Sequence, residues 1–475
     1  MVKYAYNLAF TFSLLVSSLS AINANAADSD TSRAIEQGKY LAIASDCAAC
    51  HTNKDGKDFA GGLKIISPVG TIIASNITPS TQAGIGSYTE QQFADAVRKG
   101  IRKDGANLYP AMPYTAYSVM TDGDIHNLYE YFMHGVEPVN TPAPETALPF
   151  PMSIRTMMMG WNLLFLNDKP IASDNTQSAA WNRGKYLVMG AAHCGTCHTP
   201  RGPLMEEENS KFLSGGQVGA WYAPNITSDK ESGIGSWSKE QLVQYLRTGN
   251  LPNKAQAAGS MGEAVEHSFQ YLSDEDLNAV ATYIKTVKPI STEENKGSRF
   301  NQGAPGTSLD DLRGKSSQAI KDANLEGLSL FQGNCASCHE PLGEGSKDQY
   351  YPSLFHNSVT GSSNSNNVIA TILNGVNRTT KEGQVFMPGF GHHPNDINNL
   401  SDQQIATLSN YVIATYGKSD KKVTAQDVAT VRQGGPASYL VLVARIGIIV
   451  GAAVVVILAL WLYVRRARKT KNNIK

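Results

Sequence analysis

No cysteine lies outside three short strings: "SDCAACHTN" at residues 45–53, "AHCGTCHTP" at 192–200 and "GNCASCHEP" at 333–341. None remains for a disulfide scaffold joining distant segments. Net charge is missing too, with 41 Lys and Arg against 41 Asp and Glu. Of the cations, Lys3 stands near the start, six follow residue 464, and Arg445 lies in an apolar run. The stretch between holds 33 cations against 41 acids, a mildly acidic body that excludes nucleic acid as a partner. Strand signals are sparse. No G-x-G-x-x-G sits between a strand and a helix, and no substrate-oxidising triad or general base is recognisable. The 475 residues leave room for about three ordinary domains.

What is present begins with two terminal signals. Residues 1–26 read as a secretory signal peptide: Lys3, the short apolar "LAFTFSLLVSSLSAI", then small residues at Ala24–Ala26. Residues 439–464 read as a transmembrane helix, with no charge from Ile446 to Val464 and with Trp461 and Tyr463 as an aromatic belt. The basic tail 465–475 is expected in the cytoplasm, which puts the body outside it.

The first cysteines of the strings are Cys47, Cys194 and Cys335, almost evenly spaced, so three comparable units are expected. Units one and two share "GKYL" at Gly38 and Gly184, "NIT" at Asn76 and Asn225, and "GIGSY" at Gly84 echoed by "GIGSW" at Gly233. Each unit opens on a helical pattern and closes on a capped amphipathic helix. Thr121, Ser273 and Ser401 are the caps. The inward faces are Ile125, Leu128, Tyr129 and Phe132, then Leu277, Val280, Ala281 and Ile284, then Ile405, Leu408 and Val412. The expected layout is unit one at 30–137, a packed connector at 138–180, unit two at 181–288, a linker at 289–323, unit three at 324–418 and a linker at 419–438.

C-x-x-C-H is the attachment signal for c-type haem. Two thiols three apart on a helical turn face one side and reach both vinyl groups, and the following imidazole lies under the iron. Zinc would need CxxC pairs converging on one ion, which three separate pairs do not offer. Cys47, Cys50, Cys194, Cys197, Cys335 and Cys338 are the expected attachment points, and His51, His198 and His339 the proximal ligands. A thioether on the far face would close the iron for electron transfer. "YPAMPY" offers Met112 and "VFMPGF" offers Met387, both in loop settings before the closing helix. Unit two offers Met261 and also His267, with Met261 favoured because its position parallels the others; Met205 lies close to the motif. His126, His134, His193 and His356 read as surface or supporting groups, and the His392–His393 pair as a minor competitor for iron. Pro68, Pro224 and Pro352 are candidate carbonyl partners for the proximal imidazoles, and Arg98 and Arg247 candidate partners for haem propionates.

With three such motifs beside "NITP…GIGSYT", "IRKDGANLYPAMPY", "YAPNITSDKESGIGSWS" and "VFMPGF", the chain resembles the membrane-bound triheme cytochrome c subunit of bacterial periplasmic dehydrogenases acting on gluconate, sorbitol, fructose or alcohol. The resemblance implies a mainly α fold of three tandem class I cytochrome c-like domains with one C-terminal transmembrane helix. It also implies three covalent haem c groups and axial ligands carried onto His51, Met112, His198, Met261, His339 and Met387. The implied partners are a catalytic dehydrogenase subunit, a flavoprotein in the branch favoured by "YAPNITSD", and a small third subunit. The chain itself would be an electron-transfer subunit for CH–OH oxidation, passing electrons to ubiquinone at the inner membrane with its haem domains in the periplasm. Alternatives are the cytochrome subunit of a quinoprotein alcohol dehydrogenase, of a terminal oxidase or nitrogen-oxide reductase, or a peroxidase.

Overall fold

The computed structural model describes residues 30–292, 297–312, 323–393, 396–417 and 419–472. The signal peptide expected at 1–26 and part of the linker at 289–323 lie outside them.

Units one and two repeat one plan. A first helix (residues 30–44; Ala179–Met189) leads into a short helix carrying the motif (Cys47–His51; Cys194–His198). A two-stranded antiparallel hairpin follows (Lys64–Ser67 with Gly70–Ile73; Gly216–Val218 with Trp221–Ala223). Next come a middle helix (Glu90–Lys99; Lys239–Thr248) and the closing helix (Asp122–Glu130; Asp274–Ile284). Unit three has the helices Ala323–Asn334, Ala336–His339, Asn366–Asn374 and Asp402–Tyr416, but its hairpin, Val376–Thr380 with Gly383–Met387, comes after the middle helix. Secondary structure is mainly helical, and every sheet among the described residues is a two-stranded ribbon.

The closing helices bury the expected faces. Ile125, Leu128 and Phe132, then Leu277, Val280, Ala281 and Ile284, then Ile405, Leu408 and Val412 are all buried, with Tyr129 partly so. Each closing helix crosses the first helix of its unit at a glycine. A Cβ at Gly38 would stand 1.8 Å from the Asn127 carbonyl oxygen, one at Gly184 1.9 Å from that of Ala279, and one at Gly327 2.5 Å from the Tyr411 Cβ. That close crossing accounts for the glycine of "GKYL".

The tyrosine of "GKYL" joins the two units. Tyr40 of unit one accepts a hydrogen bond from the Ser273 N–H (3.1 Å) and donates to Asp276 Oδ2 (2.7 Å), at the start of unit two's closing helix. Tyr186 of unit two accepts from the Thr121 N–H (3.1 Å) and donates to Asp124, at the start of unit one's. Each hydroxyl bridges the N-cap and N3 residues of its neighbour's helix, which a capping box would otherwise link directly. Unit three has Ser329 at this place, and its helix closes its own box, Ser401 N–H donating to Gln404 Oε1 at 2.9 Å.

The reciprocal joint gives units one and two a single hydrophobic core, whereas unit three has its own, extended by Val428 and Val431 of the helix Ala425–Arg432. Unit three docks on unit two. The buried Arg378 donates to the carbonyl of Ala257 and to Gln256 Oε1, and Asn367 exchanges hydrogen bonds with the backbone of Tyr222. Unit two therefore touches both others.

The connector lies along unit one. Asn76 Nδ2 donates to the carbonyls of Val139 and Thr141, and Thr146 accepts from the Ile73 N–H. The connector then forms a helix, Met157–Phe165. The last helix runs from Leu440 to Asn472, and its Leu440–Arg466 stretch is long and apolar enough to cross a membrane.

Candidate haem sites

Each motif histidine is held the same way. His51 Nδ1 lies 2.7 Å from the carbonyl oxygen of Ser75, His198 Nδ1 2.7 Å from that of Pro224, and His339 Nδ1 2.9 Å from that of Pro352. A carbonyl only accepts, so Nδ1 carries the proton and Nε2 keeps a free lone pair, the tautomer a metal ligand needs. Pro224 and Pro352 were expected in this role, but the partner of His51 is Ser75, not Pro68. Pro68 sits in the turn between the hairpin strands. Ser75 directly precedes "NIT", as Pro224 does, and a backbone carbonyl does not require proline. The "NIT" repeat was therefore the better guide.

Burial sets the protonation of these groups. It drives the His198 imidazole down to about 4, assisted by nearby Arg299, against the Pro224 hydrogen bond that favours the charged form. Burial likewise lowers His51 and His339 against their carbonyl bonds. All three imidazoles are neutral near pH 7. Burial also pushes the thiols of Cys47, Cys194 and Cys335 up to about 12 and that of Cys50 to about 11. A reactive redox dithiol needs a lowered thiol pKa, and these are raised. No disulfide is formed, and among the described residues no cluster of three His, Cys, Asp or Glu could hold a bare metal ion. Apolar surroundings, neutral sulfur and a lone pair on Nε2 suit covalent attachment of a porphyrin.

The methionines are half-buried against the cores, Met112 and Met261 on the shared one and Met387 on that of unit three. Met112 sits in a turn, its N–H bonded to the Tyr109 carbonyl and its own carbonyl to the Tyr114 N–H. Met387 ends a strand rather than lying in a free loop, because the tight turn at Gly383 pairs it with Val376. Met261 lies in the first turn of the helix Gly259–His267, whereas His267, at the other end, is exposed. Met205 stays in a tight turn beside Arg201.

Arg98 and Arg247 each pair with the first aspartate of the closing helix, Asp122 and Asp274. The pairing uses one arm of Arg98. Its Nε and Nη2 are buried with no partner among the described residues, as is the indole N–H of Trp237. Buried orphan donors are costly in an interior, and these are the kind a propionate would satisfy. Trp237 was missed by sequence reasoning, although "GIGSW" marks it. The remaining histidines take supporting or surface positions: His193 stacks edge-on against Tyr117 across the joint of units one and two, His126 meets Glu90 and His134 faces Glu130. His356, His392 and His393 are exposed. The motifs of units one and two approach each other, close enough that an ionised Cys197 would raise the Cys50 thiol.

A family model described as cytochrome c matches residues 35–135, 182–288 and 325–415. The chain is 46% identical over 449 residues to the fructose dehydrogenase cytochrome subunit of Gluconobacter japonicus, covering 92% of each. It is 37% identical to the cytochrome c subunit of the quinone-type alcohol dehydrogenase of Gluconacetobacter polyoxogenes, covering 90% of each. It is also 37% identical to the gluconate 2-dehydrogenase cytochrome c subunit of Pantoea cypripedii, over 84% of this chain and 89% of the relative.

Proposed function

This chain belongs to the cytochrome c family and is the three-haem electron-transfer subunit of a dehydrogenase complex, and from that premise we propose that its catalytic partner is a flavoprotein oxidising a sugar or sugar acid, with ubiquinone as acceptor. One observation carries the substrate class: identity to the fructose dehydrogenase subunit is 46%, against 37% for the alcohol and gluconate relatives. Fructose is accordingly the first substrate to try.

Haem c, once attached, supplies a one-electron centre. The pairs Cys47 and Cys50, Cys194 and Cys197, and Cys335 and Cys338 hold it. His51, His198 and His339 present Nε2 in a fixed tautomer and, with Met112, Met261 and Met387, would be the residues that hold its iron. Ser75, Pro224 and Pro352 fix the imidazole planes through Nδ1. Apolar core residues pack against the first cysteine of each motif, Cys47, Cys194 and Cys335. The contacts of unit two with both neighbours support a relay along the chain.

The helix Leu440–Arg466 anchors the chain, residues 465–475 remain in the cytoplasm, and the haem units stand in the periplasm behind a cleaved signal at 1–26. Every residue from Arg445 to Arg466 is left exposed by the rest of the chain, and Arg445 and Arg465 flank the charge-free segment. Purification of the complex tests the reading. Bound flavin and fructose-driven reduction of a short-chain ubiquinone support it, while a quinoprotein partner driven by ethanol overturns it.

A further inference from the structure

The connector helix Met157–Phe165 has one face tied to the protein and another turned outward. On the tied face, Trp161 Nε1 donates to the Leu204 carbonyl (2.9 Å), Asn162 Nδ2 donates to that of Lys99 (3.1 Å), and the Tyr114 hydroxyl donates to Asn162 Oδ1 (2.8 Å). On the outward face, Met159 is 62%, Leu163 86% and Leu164 68% exposed, continued by Phe150 at 56%. No charge occurs from Thr156 to Asn167. A surface of this kind marks an interaction site.

Its position identifies what covers it. Met158 packs in one small cluster with Tyr109, Leu148 and Met152 and with Val441 and Ala444, which belong to the first turns of the apolar C-terminal helix. Arg445, the last charge before the run Ile446–Val464, donates from Nε to the Phe150 carbonyl at 3.0 Å. An arginine at that boundary belongs at the headgroup level of a bilayer. Phe150 and the outward face of the connector helix therefore stand at the same level, continuous with the spanning helix.

We propose that the helix Met157–Phe165 lies in the lipid interface beside the spanning helix, with Leu163 and Leu164 inserted among the acyl chains, as interfacial helices do. The inference rests on the reading of Leu440–Arg466 as the anchor. It gives the chain a second membrane contact and sets unit one on the lipid surface, because Tyr109 and Tyr114, flanking Met112, are the residues on which the connector rests: the Tyr109 hydroxyl donates to the Met152 carbonyl at 2.7 Å. A docking face for the catalytic subunit would need no such continuity with the anchor.

The test uses the intact complex in its native membrane. A photoreactive benzoylphenylalanine replaces Leu163 in one variant, Leu164 in a second and Val455, within the spanning helix, in a third. After irradiation, the cytochrome chain of the first two should gain the mass of one phospholipid, as the third does. A crosslink from Leu163 or Leu164 to another polypeptide, or no adduct there while Val455 labels lipid, overturns the proposal and leaves the anchor standing. Absence of lipid adduct at Val455 overturns the anchor itself, and this proposal with it.

Discussion

The joint between units one and two offers a sharp test through Tyr40→Phe. The substitution keeps the ring and deletes a hydroxyl that makes two hydrogen bonds, one of them at 2.7 Å to a carboxylate. A bond to a charged acceptor is worth about 1.5–3 kcal/mol net and a neutral one about 1. Asp276 keeps its two bonds from Arg183, each 2.7 Å, and can itself take the freed Ser273 N–H, so part of the loss is recovered. A net cost of about 2 kcal/mol remains, roughly a 30-fold rise in the joint's opening equilibrium. Hydrogen exchange of the full-length haem-loaded protein, read on peptides covering residues 273–278 and 121–127, measures it. Because Tyr186 makes the mirror contact, opening breaks both ties at once. Exchange should therefore quicken in both peptides from the single change, while the start of unit three's closing helix stays as it was. Acceleration confined to residues 273–278, or none, would show that the shared core does not open as one body. The same joint should weaken in acid. Burial raises the Asp276 carboxyl, but hydrogen bonds from Arg183 and Tyr40 outweigh it and hold the group below its ordinary value. A carboxyl depressed in the folded state contributes stability that is complete above its unfolded pKa and is lost as pH falls through the folded one. Protection should thus decline only below about pH 4.

Met112→Ala and Met387→Ala should each lower the potential of one haem and leave the other two in place; a redox titration with all three potentials unchanged would refute the ligand assignments. Gly184→Ala drives a methyl into the Ala279 carbonyl oxygen at 1.9 Å and should destabilise units one and two by about 3 kcal/mol, read as a drop in the first thermal transition; an unshifted transition would contradict the close helix crossing. A chain truncated before residue 438 should be extracted by alkaline carbonate, whereas the full chain resists it. Resistance in the truncated form would point to another spanning segment.

The repeat architecture and the haem-attachment chemistry were legible because they are written in residue identity at fixed short spacing: C-x-x-C-H, and caps followed by period-3.6 apolar faces. What escaped was long-range or carried by backbone. The carbonyl partner of His51 is invisible to side-chain reasoning, and choosing proline as its marker erred at Pro68 because the requirement is an oxygen at the right place rather than a ring. The ribbon that positions Met387 is also short: Val376–Thr380 is mostly polar and Gly383–Met387 ends in three consecutive apolar residues, so neither strand shows an apolar alternation to read.

The joint shows how a visible repeat can hide its reason. "GKYL" occurs twice and not three times, and within one unit its tyrosine has no evident task. Both tyrosines work in the neighbouring unit, and each needs an acid at the third position of the helix it reaches: Asp276 for Tyr40, Asp124 for Tyr186. Unit three has neither half, with Ser329 where the tyrosine would be and Gln404 where the acid would be, and its cap closes on itself. The tyrosine and the acid occur together in units one and two and are both absent from unit three, which stands outside the pair. Units one and two are tied as a fixed couple by these reciprocal bonds, while unit three meets unit two through a separate contact in which the buried Arg378 donates to unit two's backbone.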